Sequence, residues 1–247
     1  MNEGKFFSFL AIDLGASSGR AILGTIQNDQ LSMKEIRRFP NPIIEVNNRQ
    51  YWDLFSLYQQ VIESLKEVRQ LTQSVTSVGI DTWGVDYVCF ANDGEPLRMP
   101  YSYRDHRTNG AAERFFDKLA KKELYQRTGI QIMDFNTIFQ LDTQQEEKDP
   151  IIEITDKILF MPDALSYMLT GKMVTEYTIA STSQLINPYT REMDPTLLEK
   201  VGLTTNHFAP IVFSGKEIGN ISETAQHLTG IKKLSVIAVA GHDTASA

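Results

Sequence analysis

The order of apolar patterns in the first 90 residues constrains the fold more than any other feature of the sequence. Five apolar runs have the length and bounding residues of strands, and they span residues 6–13, 20–27, 31–39, 75–80 and 85–90. The polar turn Gln27-Asn28-Asp29-Gln30 joins the second and third runs as a hairpin. Apolar residues then recur with helical spacing from Leu54 to Leu71, after the candidate N-cap Asp53. Three strands, a crossover helix and further strands predict a mixed α/β sheet flanked by helices.

The chain beyond Pro100 is predicted to be mainly helical. Four segments carry helical patterns or helix start and stop signals, at residues 110–127, 137–147, 162–170 and 195–201. The segment 41–49 is polar and is predicted to be irregular. A last apolar run, Val236–Ala240, predicts a buried strand, and residues 241–247 predict a turn that enters a helix.

Composition excludes several classes of protein. The chain of 247 residues has a formal net charge of −7, which argues against general binding to nucleic acid or anionic membranes, because both need clustered Lys and Arg. No stretch approaches the ~18 apolar residues of a transmembrane helix, and no secretory signal is evident. Cys89 is the single cysteine, so an internal disulfide and a thiolate metal cage are excluded. These features predict a cytoplasmic protein without nucleic-acid or membrane partners.

The turn after the first strand has the properties of a phosphate-binding loop. The strand ends in Asp13, and five small residues follow before a single cation, in the order Gly15-Ala16-Ser17-Ser18-Gly19-Arg20. Small side chains let backbone N–H groups approach an anion, and the serine hydroxyls and the guanidinium add donors. Because Asp13 would repel a phosphate directly, it would act through Mg²⁺ or water. The alternative is an ordinary hairpin in which the acid bonds to its own turn.

A second candidate site is the segment Asp81-Thr82-Trp83-Gly84-Val85-Asp86. Its carboxylates suit vicinal hydroxyls, its indole suits the apolar face of a sugar, and glycine allows close backbone approach. The alternative is a turn with a half-buried tryptophan. The charged run Tyr103–Arg107 either lines the same cleft or forms a solvated face.

A third candidate site follows the last predicted strand, at Gly241-His242-Asp243-Thr244. An apolar strand again delivers an acid to the point where a helix begins, and open α/β sheets place their chemistry at such strand ends. The alternative is an N-cap made by Asp243 or Thr244.

Together these segments resemble the FGGY carbohydrate kinases, and most closely those members that act on rhamnulose. The resemblance covers the chain from end to end. It rests on the three candidate segments just quoted, with Tyr103-Arg104-Asp105, Arg107-Thr108-Asn109-Gly110 and Met161-Pro162-Asp163. One departure is Gly241, where the family is expected to have serine.

The resemblance implies a ribonuclease H-like fold, shared with the actin-like ATPases, and the chemistry of ATP-dependent phosphorylation of a ketose. The first hairpin would hold the ATP phosphates through Ala16, Ser17, Ser18, Gly19 and Arg20. Asp13 would position Mg²⁺. Asp243 would be the general base. The ketose, rhamnulose by resemblance, would be bound by Gly84, His242, Asp243 and Thr244.

The resemblance also implies a two-lobed enzyme of which this chain is an N-terminal portion. Residues 1–235 would form the first lobe, and residues 236–247 would be the truncated start of the second. Separated from the sheet of the second lobe, these last residues would be frayed or held only by packing against the first lobe or a neighbouring molecule. Such a fragment is expected to be inactive alone. Two alternatives stay open: another FGGY ketose or polyol kinase, and a non-catalytic sugar- or nucleotide-sensing protein with a kinase fold. The sequence does not give the oligomeric state.

Overall fold

A computed structural model describes residues 6–72 and 75–246 of the chain; residues 1–5, 73–74 and 247, which the domain division above includes, lie outside it. The strands of the described residues are β1 Phe6–Leu14, β2 Ser18–Gln27, β3 Gln30–Pro40, β4 Ile43–Val46, β5 Arg49–Trp52, β6 Val75–Thr82, β7 Tyr87–Phe90, β8 Lys157–Phe160, β9 Thr175–Glu176, β10 Ile186–Asn187, β11 Glu192–Met193, β12 Ile211–Val212, β13 Glu217–Asn220 and β14 Ser235–Ile237. The helices are α1 Leu54–Leu71, α2 Ala111–Phe115, α3 Lys121–Thr128, α4 Thr137–Glu146, α5 Ile151–Ile154, α6 Met161–Thr170, α7 Tyr177–Ser181, α8 Pro195–Lys200, α9 Glu223–Thr229 and α10 Asp243–Ser246. None of the described helices is long and apolar enough to cross a membrane.

The central element is a six-stranded mixed sheet with the order β13-β14-β6-β1-β2-β3. β1, β2 and β3 form an antiparallel meander, whereas β6 and β14 run parallel to β1. Asn28 and Asp29, at the tip of the second hairpin, both have positive φ, the backbone of a tight type I′ turn. The prediction of a mixed α/β sheet flanked by helices is confirmed.

Helix α1 covers one face of this sheet. It begins where predicted, because the Asp53 carboxylate accepts a hydrogen bond from the Ser56 N–H at 2.9 Å and caps the first turn. Its apolar stripe is fully buried in one cluster with the inward side chains of β1, including Leu10, Ile12 and Leu14. Burial of each such side chain contributes about 1.5–3 kcal/mol, so this stripe fixes the helix on the sheet.

Three local predictions are wrong. The segment 41–49 is not irregular but contributes to the hairpin of β4 and β5, which turns at Asn47 and Asn48, both with positive φ. The predicted helix 110–127 is two helices, because Ala120 has an extended backbone and breaks the run between α2 and α3. The predicted strand 85–90 is shorter, and as β7 it pairs with β8 outside the central sheet.

The predicted last strand is paired in the central sheet. β14 lies between β13 and β6, with Ser235 opposite Ser77 and Val236 opposite Val78. Of the two states expected for residues 236–247, fraying is wrong for the start of the segment, which is held against the first lobe by strand pairing. The predicted strand Val236–Ala240 is shorter than expected, because it ends at Ile237. The backbone continues beside β6, since the Thr82 N–H donates to the Gly241 carbonyl at 2.9 Å. This pairing fixes the position of the residues that follow.

Candidate active site

Three carboxylates meet where parallel segments of the sheet end. Asp13 of β1 lies directly opposite Asp81 of β6 in the parallel register. Thr82, the next residue of β6, forms a parallel bridge with His242, which places Asp243 beside the same edge. The sequence predicted Asp13 and Asp243 as separate features. The structure brings them together and adds Asp81 between them.

Asp81 has a strongly perturbed acidity. Burial, and to a lesser extent the negative charges of Asp13 and Asp243, raise the pKa of its carboxyl to about 7, against a smaller lowering by Arg20. Its residual exposure is 9%. Within residues 6–72 and 75–246, no hydrogen-bond donor reaches this carboxylate. A negative charge at Asp81 is therefore unfavourable in the folded protein.

Replacing Asp81 with asparagine is expected to stabilise the fold at pH 8. Because the folded pKa is raised, the folded state binds more protons than the unfolded state between about pH 4 and 7, and stability falls as pH rises through that window. Asp81→Asn removes this loss and should raise the free energy of unfolding by about 2–3 kcal/mol at pH 8, with little change near pH 3.5. Urea unfolding of both proteins at a series of pH values measures the difference. A variant that is less stable at pH 8 would contradict the assignment.

The turn between β1 and β2 is held in shape from outside. The Gly15 N–H donates to the Ser18 carbonyl at 2.9 Å and closes the turn. The Asn41 side-chain amide donates a hydrogen bond to the Gly15 carbonyl at 3.0 Å, and the Asn41 backbone N–H donates to the Ser17 carbonyl at 3.1 Å. Sequence reasoning missed Asn41, because it lies in the segment predicted to be irregular.

The same turn contains hydrogen-bond donors that have no acceptor among the described residues. Among the described residues, the N–H groups of Ala16 and Ser17 have no hydrogen-bond acceptor. Arg20 is the cross-strand partner of Asp13, and its Nε donates to Asp13 Oδ2 at 2.7 Å. Its two terminal nitrogens have no partner in the described part of the chain. Unpaired N–H groups beside a guanidinium suit an anion.

An added side chain would meet different surroundings at Gly15 and at Gly19. A Cβ at Gly19 would lie 2.4 Å from the Phe39 ring and 2.6 Å from the Leu14 side chain, both in the core. A Cβ at Gly15 would meet the Ser18 carbonyl oxygen at 3.3 Å. Gly19 thus makes room for core packing, which is a structural reason separate from its predicted role at the phosphates.

A Gly19→Ala substitution is therefore expected to act on stability. The added methyl overpacks the core between Phe39 and Leu14 and should lower the free energy of unfolding by about 1–3 kcal/mol. Gly15→Ala is the matched control and should cost less, because its methyl meets one carbonyl oxygen at the edge of contact distance. Denaturant unfolding of the two variants compares them directly. Equal stability would contradict this account of Gly19.

The segment after β6 contains a strained residue. Val85 has φ of 68°, a conformation that β-branched residues rarely adopt and that costs on the order of 1–3 kcal/mol. Its N–H donates to Thr182 Oγ1 at 3.0 Å, and its carbonyl accepts from Thr137 Oγ1 at 2.7 Å. Hydrogen bonds to both the N–H and the carbonyl of Val85 hold the strained turn in place.

Asp86 is a structural residue and not a ligand for a sugar. It is fully buried, and its Oδ2 accepts from both indole N–H groups, Trp52 at 2.6 Å and Trp83 at 2.9 Å. Oδ2 also accepts from the Tyr103 N–H, and Oδ1 accepts from the Gln140 amide. Burial raises the pKa of this carboxyl to about 6, although these four donors oppose the shift. The suggestion that both acids of the segment face a sugar is wrong for Asp86.

Trp83 is likewise core. It is 3% exposed and packs on Trp52 with ring centroids 4.3 Å apart. The half-buried rings near this point are those of Tyr103 and Phe135, 5.4 Å apart. The sequence-based assignment of Trp83 to the face of a sugar is wrong, because the indole is buried against Trp52.

Gly84 and His242 are neighbours. A Cβ at Gly84 would lie 3.2 Å from His242 Nε2 and 3.1 Å from Thr182 Cγ2. His242 Nε2 in turn lies 3.3 Å from Asp243 Oδ1, which also accepts from the Thr244 N–H at 2.6 Å. Residues predicted to share a ligand thus come together from segments about 160 positions apart. The side chains of His242 and Asp243 are 27% and 37% exposed, so a ligand can reach them.

The charged run Tyr103–Arg107 is mainly structural. Asp105 is buried and accepts from the backbone N–H groups of Gln50 at 2.6 Å and Arg107 at 2.8 Å. Arg107 is buried too and donates to the Gln140 side chain. Arg104 is exposed. The prediction of a solvated face holds for Arg104 but not for the buried Asp105 and Arg107.

No group of three or more His, Cys, Asp or Glu side chains within residues 6–72 and 75–246 is arranged to hold a metal ion. Mg²⁺ does not need such a group, because it commonly binds through one or two carboxylates, several waters and substrate phosphates. Asp13, whose side chain is 27% exposed beside the phosphate-type turn, has the chemistry and the access for that mode.

Comparison of the fold with solved structures defines the class of protein. The chain superposes on a gluconate kinase from Lactobacillus acidophilus with a TM-score of 0.87 and 18% identity, over 97% of this chain and 48% of that chain. A xylulose kinase from the same organism superposes with a TM-score of 0.83 and 17% identity, over 96% of this chain and 48% of that chain. At such identity the likeness shows the fold: an α/β domain like the first lobe of a two-lobed sugar kinase.

The family follows from sequence comparison. Residues 8–247 match the model of the N-terminal domain of the FGGY family of carbohydrate kinases, and the chain belongs to this family. It is 54% identical over 240 residues to a rhamnulokinase of Bacteroides thetaiotaomicron, over 97% of this chain and 50% of that protein. A rhamnulokinase of Bacillus subtilis is 42% identical over 239 residues, 97% of this chain and 49% of that protein. The chain spans about half the length of these curated relatives.

Proposed function

We propose that the chain forms the first lobe of a kinase that transfers a phosphoryl group from ATP to L-rhamnulose and yields L-rhamnulose 1-phosphate. The observation that carries this proposal is the meeting, at one sheet edge, of Asp13 beside a turn rich in free donors with Asp243 and His242 beside Gly84. Rhamnulokinases at 54% and 42% identity support the choice of sugar. The cytoplasmic location expected from the sequence stays a prediction.

The residues of the turn fit the phosphates of ATP. Unpaired N–H groups at Ala16 and Ser17 and the free nitrogens of Arg20 would hold phosphate oxygens. The hydroxyls of Ser17 and Ser18 and the backbone of Gly19 complete the proposed nucleotide contacts. Asp13 would hold Mg²⁺, which neutralises charge on the phosphates when bound. Arg20 fixes the Asp13 carboxylate through its Nε and keeps its other nitrogens for the nucleotide.

Asp243 would accept the proton of the attacking sugar hydroxyl. Its Oδ1 is engaged by Thr244 and lies near His242, whereas no described donor reaches Oδ2. Oδ2 is thus the atom available for the proton. His242, Thr244 and the bare backbone of Gly84 would orient the sugar. Positioning and removal of one proton are the work that phosphoryl transfer asks of a protein.

A sugar panel tests the proposal. The full-length protein is assayed with ATP, Mg²⁺ and L-rhamnulose, L-fuculose, D-xylulose or glycerol. We expect kcat/KM for L-rhamnulose to exceed that of the other sugars at least ~10-fold. A higher kcat/KM for another sugar would show that the enzyme is a kinase of the same family with that sugar as its substrate. Binding of sugar without turnover would favour the sensing alternative.

A further inference from the structure

Helix α7 lies between the two segments proposed to hold the sugar. These are the sugar segment, Gly84–Val85, and the base segment, Gly241–Asp243. It has five residues, Tyr177–Ser181, and Ile179 and Ala180 anchor it in the core. Glu176 is its N-cap and Thr182 is its C-cap. Each cap residue also contacts one of the two segments, so the helix connects them over its own short length.

At the N-terminal end, Glu176 holds the backbone that leads into Asp243. Its Oε2 accepts from the N–H groups of Thr178 at 2.9 Å and Ile179 at 3.1 Å, as a helix cap does. The same oxygen accepts from the Gly241 N–H at 3.0 Å, and Gly241 immediately precedes His242 and Asp243. Glu176 is 2% exposed, so this bond is shielded from water.

The surroundings of Glu176 explain why its carboxylate stays in place. Its Oε1 accepts from the Ser214 hydroxyl at 3.0 Å. Its backbone N–H lies 3.2 Å from each oxygen of Asp163, which belongs to the segment 161–163 singled out from the sequence. Burial raises the pKa of Asp163 well above its usual range. The bond from Gly241 is therefore part of a network fixed from several sides.

At the C-terminal end, Thr182 holds the strained turn of the sugar segment. Its Oγ1 accepts from the Val85 N–H at 3.0 Å while donating to the Ile179 carbonyl at 2.7 Å. Its Cγ2 lies 3.1 Å from the point where a side chain on Gly84 would begin. One threonine therefore sets both the backbone of Val85 and the space above Gly84.

The geometry points to α7 as a brace that fixes the separation of the sugar segment Gly84–Val85 from the base segment Gly241–Asp243, with Thr182 and Glu176 as positioning residues. This inference rests on the proposed function. Neither residue need touch the sugar. An error of about 1 Å in the placement of reacting groups can cost on the order of 10²-fold in rate, so a brace of this kind matters to the chemistry.

Thr182 is tested with two matched variants in the full-length protein. Thr182→Val removes the hydroxyl and keeps the shape, so Val85 loses its acceptor and the turn can relax. We expect sugar KM and Kd to rise at least ~10-fold, with ATP Kd within about 2-fold. Thr182→Ser should restore sugar binding to within about 3-fold of the wild type. Ser181→Ala is the control, because the Ser181 hydroxyl also bonds to the carbonyl three residues earlier but makes no bond to either segment.

Glu176 is tested against a second buried cap. Glu176→Ala should lower kcat at least ~10-fold with a much smaller change in sugar KM, because the base segment loses its anchor. Asp194→Ala is the control: Asp194 is 3% exposed and caps α8 in the same manner, away from both segments. It should lower the melting temperature to a similar extent but leave kcat within about 2-fold. Circular dichroism before each assay verifies that the variants are folded.

The outcomes separate the brace from the proposed function. Thr182→Val behaving like Ser181→Ala, or Glu176→Ala behaving like Asp194→Ala, would overturn the brace and leave the proposed function intact. Sugar binding without phosphoryl transfer by the wild type would overturn the proposed function, and the brace would be judged from the sugar Kd of the Thr182 variants. A wild-type protein that binds no sugar would overturn both.

Discussion

An Asp243→Asn variant of the full-length protein is expected to turn over its sugar at least ~10²-fold more slowly than the wild type, with ATP binding nearly unchanged. The substitution is unusually selective. Asn keeps Oδ1, which bonds to the Thr244 N–H at 2.6 Å, so the start of α10 is preserved. It replaces Oδ2, which no described donor reaches, with an NH₂ group that cannot accept a proton. Steady-state kinetics with a separate measurement of ATP Kd tests the result.

Two results would contradict the role of Asp243. A kcat close to that of the wild type would mean that another group removes the proton or that none is needed. A parallel loss of ATP affinity would mean that the substitution disturbs the whole edge, where Asp13, Asp81 and Asp243 interact. A kcat that falls while ATP Kd and sugar KM stay near wild type agrees with a general base.

The parts of the fold that the sequence predicted are those with long local patterns. The strands β1 to β3 and helix α1 each span nine residues or more, so their periodicity is visible without knowledge of the partner. The hairpin of β4 and β5 has strands of four residues each and was missed. The Asn47-Asn48 pair was its one local signal, because asparagine tolerates the positive φ of a tight turn.

In the candidate site, too, the sequence predicted single segments but not the contacts between them. Asp13, Gly84 and Asp243 were predicted from their local segments, but their proximity depends on the parallel register of β1, β6 and the residues after β14. Asp81 becomes the third acid of the edge only through that register. The bond from Val85 to Thr182 joins residues 97 positions apart, and no local pattern encodes it. Contacts of this kind need the tertiary structure.

An Asp86→Asn substitution is expected to be among the most destabilising single changes in the chain. The carboxylate is fully buried and accepts four hydrogen bonds, three of them at Oδ2 from Trp52, Trp83 and Tyr103. An amide can present one oxygen to these three donors, but its NH₂ group then faces the Gln140 amide, itself a donor. Gln140 cannot turn over without cost, because its Oε1 accepts from Arg107. We expect the free energy of unfolding to fall by about 3–5 kcal/mol.

Asp81→Asn is the matched control for this prediction, since both aspartates are buried and both have a raised pKa, about 6 for Asp86 and about 7 for Asp81. If the raised pKa were the only factor, removal of either charge would stabilise the fold at pH 8. Hydrogen bonding separates the two, because four donors face Asp86 whereas no donor among the described residues faces Asp81. Urea unfolding at pH 8 should therefore give changes of opposite sign, a loss for Asp86→Asn and a gain for Asp81→Asn. A gain in both variants would mean that burial of charge outweighs the four hydrogen bonds at Asp86, and that this carboxylate does not hold the two tryptophans in place.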